Sequence, residues 1–192
     1  MHQEQVEIIY LIGGTARSGK SRIARRLLEE GGIPCFCLDY FVLVLDQGAP
    51  ELGIEDESPN KIRARKLWPR LVPMLRNIVE VEPYYTVEGD ALWPAGVKAM
   101  FQDYPGQVRA CFIGYAGSTP ARKLAEIRGF GGWVNNWLQD HPDEYILDLA
   151  REMIGYSRFV QEECAPLDIP YFDVSEDFAQ VLERAYQSLA YN

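Results

Sequence analysis

The sequence has few of the side chains that bind metals through sulfur or nitrogen, and it lacks the patterns that join cysteines. Its two histidines and four cysteines are His2, His141, Cys35, Cys37, Cys111 and Cys164. No two cysteines form a C-x-x-C pair, and no cluster of Cys and His occurs. These absences argue against a zinc site and against a disulfide framework. We expect the cysteines to be structural thiols in a reducing cytoplasm.

Positive charge and long apolar runs are also scarce. The net charge is −9 over 192 residues, so nucleic acids and anionic membranes would repel most of the surface. No apolar run approaches the roughly 20 residues that cross a bilayer, and the opening "MHQEQVEIIY" lacks the features of a signal peptide. We therefore expect no nucleic-acid partner and no membrane contact. With no internal repeat and no linker, we expect one domain over residues 1–192.

What the sequence does contain is an alternation of short apolar runs and longer helical patterns. The predicted strands are 7–13, 34–39, 84–89, 108–115 and 169–174. Helical patterns occupy 20–30, 60–81, 94–104, 119–128, 143–164 and 175–190, and the turn formers and acids of 46–60 predict a flexible loop. Several strands are apolar throughout, as expected when both faces are buried. This order predicts an α/β fold with a mostly parallel sheet.

A phosphate-binding motif lies between the first predicted strand and the first predicted helix. The template G-x-x-x-x-G-K-[ST] is matched by Gly14, Thr15, Ala16, Arg17, Ser18, Gly19, Lys20 and Ser21. The two glycines let backbone N–H groups close round phosphate oxygens, and the helix beginning near Lys20 offers unpaired N–H groups and the positive end of its dipole. Lys20 can reach the β- and γ-phosphates, and the Ser21 hydroxyl can ligate Mg²⁺. The motif predicts a nucleoside triphosphate site. For Arg17, an orientation toward phosphate and one toward solvent are both compatible with the sequence.

Three further segments follow this motif in order: "CLDYF" (37–41), "YTVEGDALWP" (85–94) and "IPYFDVSEDF" (169–178). Together with "IGGTARSGKS" (12–21), they resemble the P-loop small-molecule kinases, including nucleoside-monophosphate-kinase-like, uridine-kinase-like and 2-phosphoglycerate-kinase-like proteins. The resemblance covers most of the chain, although the first motif alone is specific. It implies a three-layer P-loop NTPase fold, with a five-stranded, mostly parallel sheet flanked by helices and a small helical lid. It also implies ATP and Mg²⁺ as cofactors.

The resemblance assigns roles to two acidic positions. Asp39, at the end of the second predicted strand, would accept a proton from a substrate hydroxyl or hold Mg²⁺ through water. Glu88, at the end of the third, would serve the metal, with Asp90 as the reserve. The alternative for Asp39 is a surface aspartate that closes a strand, and the alternative for Glu88 is a polar strand end at the sheet rim.

Kinases of this type carry a mobile lid, and residues 116–132 are the candidate. Arg122 and Arg128 would close on the phosphates, and the glycines at both borders are compatible with hinges. The alternative is a solvated amphipathic helix. In the loop after the fifth strand, Ser175 would contact the nucleotide base, and the alternative role for Ser175 is a helix N-cap.

The implied activity is an ATP- and Mg²⁺-dependent phosphotransferase that phosphorylates a hydroxyl or phosphate group of a small molecule. The basic residues Lys61, Arg63, Arg65, Lys66 and Arg70 would suit an anionic acceptor; a solvated face balanced by acidic residues 51–57 is the alternative. Two further hypotheses stay open: an antibiotic- or toxin-type phosphotransferase, and an ATP-binding regulator or ATPase without kinase activity. A GTPase would need an Asn-Lys-x-Asp sequence, and the chain has none.

Overall fold

The computed structural model describes residues 7–56, 58–129 and 138–190. Its strands are β1 (Ile8–Gly14), β2 (Cys35–Cys37), β3 (Tyr84–Glu88), β4 (Val108–Gly114) and β5 (Tyr171–Asp173). Its helices are α1 (Lys20–Gly31), α2 (Leu38–Gly48), α3 (Asn60–Val81), α4 (Pro94–Asp103), α5 (Pro120–Gly129), α6 (Asp143–Cys164) and α7 (Phe178–Ala190). Short 3₁₀ turns occupy Pro50–Leu52 and Ala165–Leu167.

The five strands form one sheet in the order β2-β3-β1-β4-β5, and every pairing in it is parallel. The central strand β1 places Ile12 opposite Glu88 of β3 and Gly14 opposite Ile113 of β4. All seven residues of β1 are buried. The α/β prediction is confirmed, with a sheet that is parallel throughout rather than mostly parallel.

Helices cover both faces of the sheet, which makes three layers. Alternate residues of β1 join different cores because successive side chains of a strand point to opposite faces. Ile9 and Leu11 pack with apolar residues of α2, α3, α4 and α6, whereas Tyr10 and Ile12 pack with apolar residues of α1 and α7. Burial on both faces explains why the strand sequences are almost continuously apolar.

The structure corrects three predicted boundaries. The second strand ends at Cys37, and the apolar segment that follows forms helix α2, which the sequence patterns had not identified. Residues 38–45 continue the apolar run of β2, and a short apolar run does not distinguish a buried strand from a helix. The predicted loop at 46–60 is shorter, since it is bounded by α2 and α3 and contains a 3₁₀ turn. The last helix begins at Phe178 rather than at Ser175.

None of the helices within the described ranges has the length and apolar content needed to cross a membrane.

Candidate active site

The loop after β1 lies at the carboxyl edge of the sheet, where β1 stands between β3 and β4. Parallel α/β sheets bind ligands in the crevice outside these strand ends. The backbone N–H of Thr15 donates to the carbonyl of Ile113 at 3.0 Å, which ties the start of the loop to β4. The sheet therefore fixes the position of residues 14–19, and α1 follows directly.

Three residues of this loop have positive φ: Gly14 at 120°, Arg17 at 60° and Gly19 at 101°. At Gly14 a Cβ atom would lie 1.9 Å from the carbonyl oxygen of Ile113, so glycine is required for both conformation and space. The Ser18 hydroxyl is buried and has no hydrogen-bond partner among the described residues. Positive-φ turns of this kind gather backbone N–H groups into an anion-binding concavity. The loop geometry therefore fits a phosphate group.

Helix α1 adds the second element of the cradle. No side chain caps its N-terminus at Gly19, and its first turn contains no acidic residue. Its first N–H groups and the positive end of its dipole are therefore available to an anion. Lys20 is buried, and its Nζ donates to the carbonyl of Thr15 at 2.9 Å. The ammonium group thus lies directly against the loop that would hold the phosphates.

Two residues that the sequence analysis did not identify hold this loop in place. The buried Tyr115 donates from its hydroxyl to the carbonyl of Ala16 at 2.9 Å, next to the strained Arg17. Its backbone N–H donates to Ser157 Oγ of α6 at 3.1 Å, and Ser157 Oγ shares a 2.6 Å hydrogen bond with Thr15 Oγ1. Neither position belongs to a short motif, because the contacts join segments 42 to 142 residues apart.

A cavity of about 790 Å³ opens beside the loop, a size suited to a nucleotide. Its cationic lining residues are Arg17, Lys20, Arg22, Arg25, Arg122 and Lys123. The acidic lining residues are Glu126 and Glu176. Burial lowers the pKa of Arg17, which indicates that this guanidinium is partly withdrawn from water. The cavity is thus a basic pocket in an acidic protein, as a polyphosphate requires.

Asp39 lies in the first turn of α2, two residues beyond the end of β2. Partial burial, followed by the negative charge of Asp90, raises the pKa of its carboxyl to about 6, while Lys20 acts in the opposite direction. Asp39 keeps an exposed surface, so its carboxyl is accessible to a ligand and is not part of the core. A carboxyl with a raised pKa that also feels the charge of Lys20 is suited to accepting a proton.

Glu88 is buried at the end of β3, where Oε1 accepts a hydrogen bond of 2.8 Å from the hydroxyl of Ser21. Within the described ranges, no group of three or more His, Cys, Asp or Glu side chains could hold a metal ion. Mg²⁺ is commonly held by one or two carboxylates together with phosphate oxygens and waters. A hydroxyl and a carboxylate beside a phosphate cradle offer that donor set, so Ser21 and Glu88 fit the ion.

The carboxylate of Asp90 accepts hydrogen bonds from Arg63 and Asn60, whereas Ser21 donates to Glu88. Its Oδ2 accepts hydrogen bonds from Arg63 Nη2 at 2.9 Å and from Asn60 Nδ2 at 3.0 Å. Gly89, between Glu88 and Asp90, donates to the carbonyl of Ile12 and has no room for a Cβ, which would lie 2.7 Å from that of Leu38. Close packing at Gly89 therefore brings β1, β3 and α2 together at the site.

Helix α5 occupies much of the candidate lid. Arg122 lines the cavity and donates to the carbonyl of Glu176 at 3.3 Å. The Lys123 ammonium stands over the Tyr115 ring at 4.0 Å from its centroid. Arg128 is instead joined to Asp143 at the start of α6, with 2.6 Å between Nη2 and Oδ1. Residues 130–132 of the candidate lid lie outside the described residues.

Ser175 follows β5 and neighbours two residues, Val174 and Glu176, that line the cavity. Its backbone N–H donates to Asp173 Oδ1 at 2.9 Å, and its hydroxyl is buried without a partner among the described residues. The helix-cap alternative is wrong, because α7 begins at Phe178. The side chain that caps its first turn belongs to Asp177, whose Oδ1 accepts from the backbone N–H of Gln180 at 3.0 Å.

No protein-family profile matches the chain, and no curated protein matches it. Solved structures do. A gluconokinase from Sinorhizobium meliloti 1021 is similar at 17% identity and a TM-score of 0.55, over 96% of this chain and 93% of that one. A shikimate kinase from Bacteroides thetaiotaomicron is similar at 16% identity and a TM-score of 0.51, over 95% and 97%. An uncharacterized protein from Eubacterium ventriosum ATCC 27560 is similar at 14% identity and a TM-score of 0.53, over 97% and 99%.

These similarities extend over nearly the whole of each chain. At sequence identities of 14–17%, they give information about the fold alone. The resemblance predicted from the motifs is thereby confirmed at the level of the fold: the chain has the α/β fold of P-loop small-molecule kinases.

Proposed function

We propose that this protein is an ATP- and Mg²⁺-dependent phosphotransferase that acts on a hydroxyl or phosphate group of a small molecule. One observation carries the proposal: beside the loop that Lys20 Nζ contacts, the Ser21 hydroxyl donates a 2.8 Å hydrogen bond to the buried carboxylate of Glu88. The groups that would bind the phosphates and the metal therefore lie together, and Asp39 would accept the proton of the substrate hydroxyl.

For a hydroxyl acceptor, the transfer needs no covalent intermediate with the protein. Asp39 takes the proton of the hydroxyl, and the hydroxyl oxygen forms a bond to the γ-phosphorus of ATP. The bond from that phosphorus to the oxygen bridging to the β-phosphate breaks, and ADP leaves. The protein contributes position and charge, through Lys20, the loop N–H groups and Arg122.

Ser21 and Glu88 would hold Mg²⁺, which neutralises negative charge on the phosphates when it is bound. The buried carboxylate of Glu88 is held in place by the Ser21 hydroxyl, which fixes both donors before the nucleotide arrives. Arg122 and Lys123 would add positive charge from α5, and Arg128 would join them if it left Asp143. Ser175 would lie near the base, since Val174 and Glu176 on either side line the cavity.

The similar structures support a kinase as the class of enzyme. Two of them bear the names gluconokinase and shikimate kinase, and each aligns over more than nine-tenths of this chain. Identities of 16–17% support the class and leave the acceptor to be identified from the site itself. A cytoplasmic location and a single domain over residues 1–192 remain predictions.

ADP release from Mg²⁺-ATP, measured with pools of small hydroxylated metabolites, tests the proposal. We expect release only when an acceptor is present. Lys20→Ala should weaken ATP binding at least tenfold in calorimetry, whereas Asp39→Asn should bind ATP and fail to transfer phosphate. Lys98→Ala on α4 is the matched control for the loss of a lysine.

The other outcomes of this experiment would correct or overturn the proposal. Turnover only with antibiotics would favour the resistance-type phosphotransferase, and turnover stimulated by a macromolecule would favour a regulator. Normal transfer by Asp39→Asn would exclude Asp39 as the base. A folded protein that binds neither ATP nor GTP in the presence of Mg²⁺ would overturn the proposal altogether.

A further inference from the structure

On one side of the phosphate loop, the strands β2 and β3 end side by side. Cys37, the last residue of β2, lies opposite Glu88, the last residue of β3. Asp39 and Asp90 each follow two residues later, so both carboxylates come from the same edge of the sheet. Among the charged neighbours of Asp39, Asp90 acts on it most strongly. Two carboxylates therefore lie near one another at the carboxyl edge of the sheet, the edge at which parallel α/β sheets bind ligands.

The buried cation beside them is already paired. Arg63 is 6% exposed, and its Nη2 lies 2.9 Å from Asp90 Oδ2. Its Nη1 also donates to the backbone carbonyl of Asp56. Asn60 donates to the same Asp90 oxygen at 3.0 Å, which holds the carboxylate from a second side. The positive charge of Arg63 is thus neutralised within the protein.

A free anion would compete poorly for Arg63. Asp90 is held beside the guanidinium by the fold, so its effective concentration exceeds that of a ligand in solution. A ligand that displaced it would leave a largely buried carboxylate without its cation, which is strongly unfavourable. Two other basic residues of this segment make their own hydrogen bonds: Lys66 donates to the carbonyl of Gly53 at 2.7 Å, and Arg70 donates to that of Lys66 at 2.9 Å.

The remaining hydrogen-bonding groups favour hydroxyls. Carboxylate oxygens only accept hydrogen bonds, so Asp39 would take a donor from the acceptor, and Asp90 would take one in addition to those of Arg63 and Asn60. Arg63 Nε is buried and has no partner among the described residues, so one donor in the same cluster still requires an oxygen. A hydroxyl group both donates and accepts, whereas a carboxylate or phosphate only accepts and would be repelled by the Asp39 carboxylate.

We infer that the acceptor is an uncharged polyhydroxyl compound whose hydroxyls are held by Asp39 and Asp90, and that the Arg63–Asp90 pair excludes anionic acceptors. This inference rests on the proposed function and names its substrate class. It departs from the expectation that the basic residues of 60–70 receive an anionic acceptor, because the structure pairs Arg63 with Asp90.

An anion titration tests the charge argument without any turnover. Inorganic phosphate and malonate are titrated into the full chain saturated with Mg²⁺ and a non-hydrolysable ATP analogue, with binding followed by calorimetry. We expect the wild type to bind neither anion in the cleft, and Asp90→Asn to bind them at least tenfold more tightly because Arg63 is released. Asp103→Asn is the matched control, since it breaks the exposed pair with Arg76 and changes the net charge equally.

Anion binding by the wild type that is lost in Arg63→Gln would overturn the inference, and this result does not require Asp90→Asn to fold. In parallel, ADP release is compared between uncharged polyols or sugars and the corresponding sugar acids and sugar phosphates. Transfer to the uncharged set alone supports the inference. Transfer to the acids or phosphates alone overturns it and leaves the kinase function standing. Absence of transfer to every compound in both sets, with ATP bound, counts against the proposed function and removes the inference with it.

Discussion

The hydroxyl of Ser21 donates a 2.8 Å hydrogen bond to Oε1 of Glu88, and this bond joins the first turn of α1 to the end of β3. The two residues are 67 positions apart in the chain. One comes from the phosphate motif and the other from a strand that the motif does not include. The bond therefore brings a hydroxyl and a carboxylate to one place beside the phosphate cradle.

This pair predicts the metal dependence of the enzyme. Glu88→Gln keeps the size of the side chain and an oxygen for Ser21, while it removes the negative charge that would attract Mg²⁺. We expect the Mg²⁺ concentration for half-maximal activity to rise about tenfold or more, with ATP affinity in the absence of metal unchanged or stronger. Magnesium titrations of ADP release measure the effect. Glu183→Gln, an exposed glutamate of α7, is the control, and an equal response of both variants would contradict a metal role for Glu88.

Asp39 predicts a pH dependence of both rate and stability. The carboxylate is the active base, so kcat/KM should fall as the pH drops below about 6, the pKa to which burial and Asp90 raise the group. Because this value exceeds the ordinary 3.8, the folded protein binds the proton more tightly than the unfolded chain does. The stability that this proton contributes is therefore lost as the pH rises through about 6.

The same argument makes Asp39→Asn stabilising. Removing the charge should raise the free energy of unfolding at pH 7.5 by about 1 kcal/mol, a value reduced from the full shift because the residue is exposed. The gain should vanish near pH 4, where Asp39 is protonated in the folded protein. Urea unfolding at both pH values measures it. A loss of stability at pH 7.5 would show that the carboxylate is held favourably and that the predicted direction is wrong.

Arg122 and Arg128 are predicted to differ in their effect on catalysis. Arg122 lines the cavity, whereas Arg128 is held by Asp143 and by the carbonyl of His141. We expect Arg122→Gln to lower kcat about 100-fold, within the range for removing one positive group from a charged transition state. Arg128→Gln should lower kcat less and should reduce the melting temperature, because it separates α5 from the start of α6. Equal losses of kcat would show that Arg128 also reaches the phosphates when the lid closes.

Tyr115 is predicted to position the phosphate loop. Tyr115→Phe removes only the hydroxyl that donates to Ala16, a hydrogen bond worth about 1 kcal/mol. We expect the Kd for Mg²⁺-ATP to rise about fivefold, measured by calorimetry. Tyr186→Phe is the matched control, since its hydroxyl donates to Glu30 at 2.7 Å on the far part of α1. The same change in Kd for both variants would mean that Tyr115 does not act through the loop.

Local chemistry made the phosphate cradle predictable. The constraint on Gly14, Gly19, Lys20 and Ser21 lies within eight consecutive residues, because a tight turn into a helix needs particular dihedrals whatever the rest of the chain does. The alternation of strands and helices could also be predicted from the sequence, since a parallel strand that is buried on both faces is apolar at nearly every position. Helix α2 was missed because it directly continues the apolar run of β2, and a short apolar run does not distinguish a buried strand from a helix.

The layered fold and the phosphate-binding loop could be predicted from the residues, because both depend on the residue types of short segments. The meetings of side chains at the site became visible only in the folded chain: Glu88 with Ser21, Tyr115 with Ala16, and Arg63 with Asp90. These partners come from separate segments, and their meeting depends on the order and register of the strands. That is why Arg63, a basic residue of a helix in the sequence, becomes in the folded protein the neutralised partner of an aspartate.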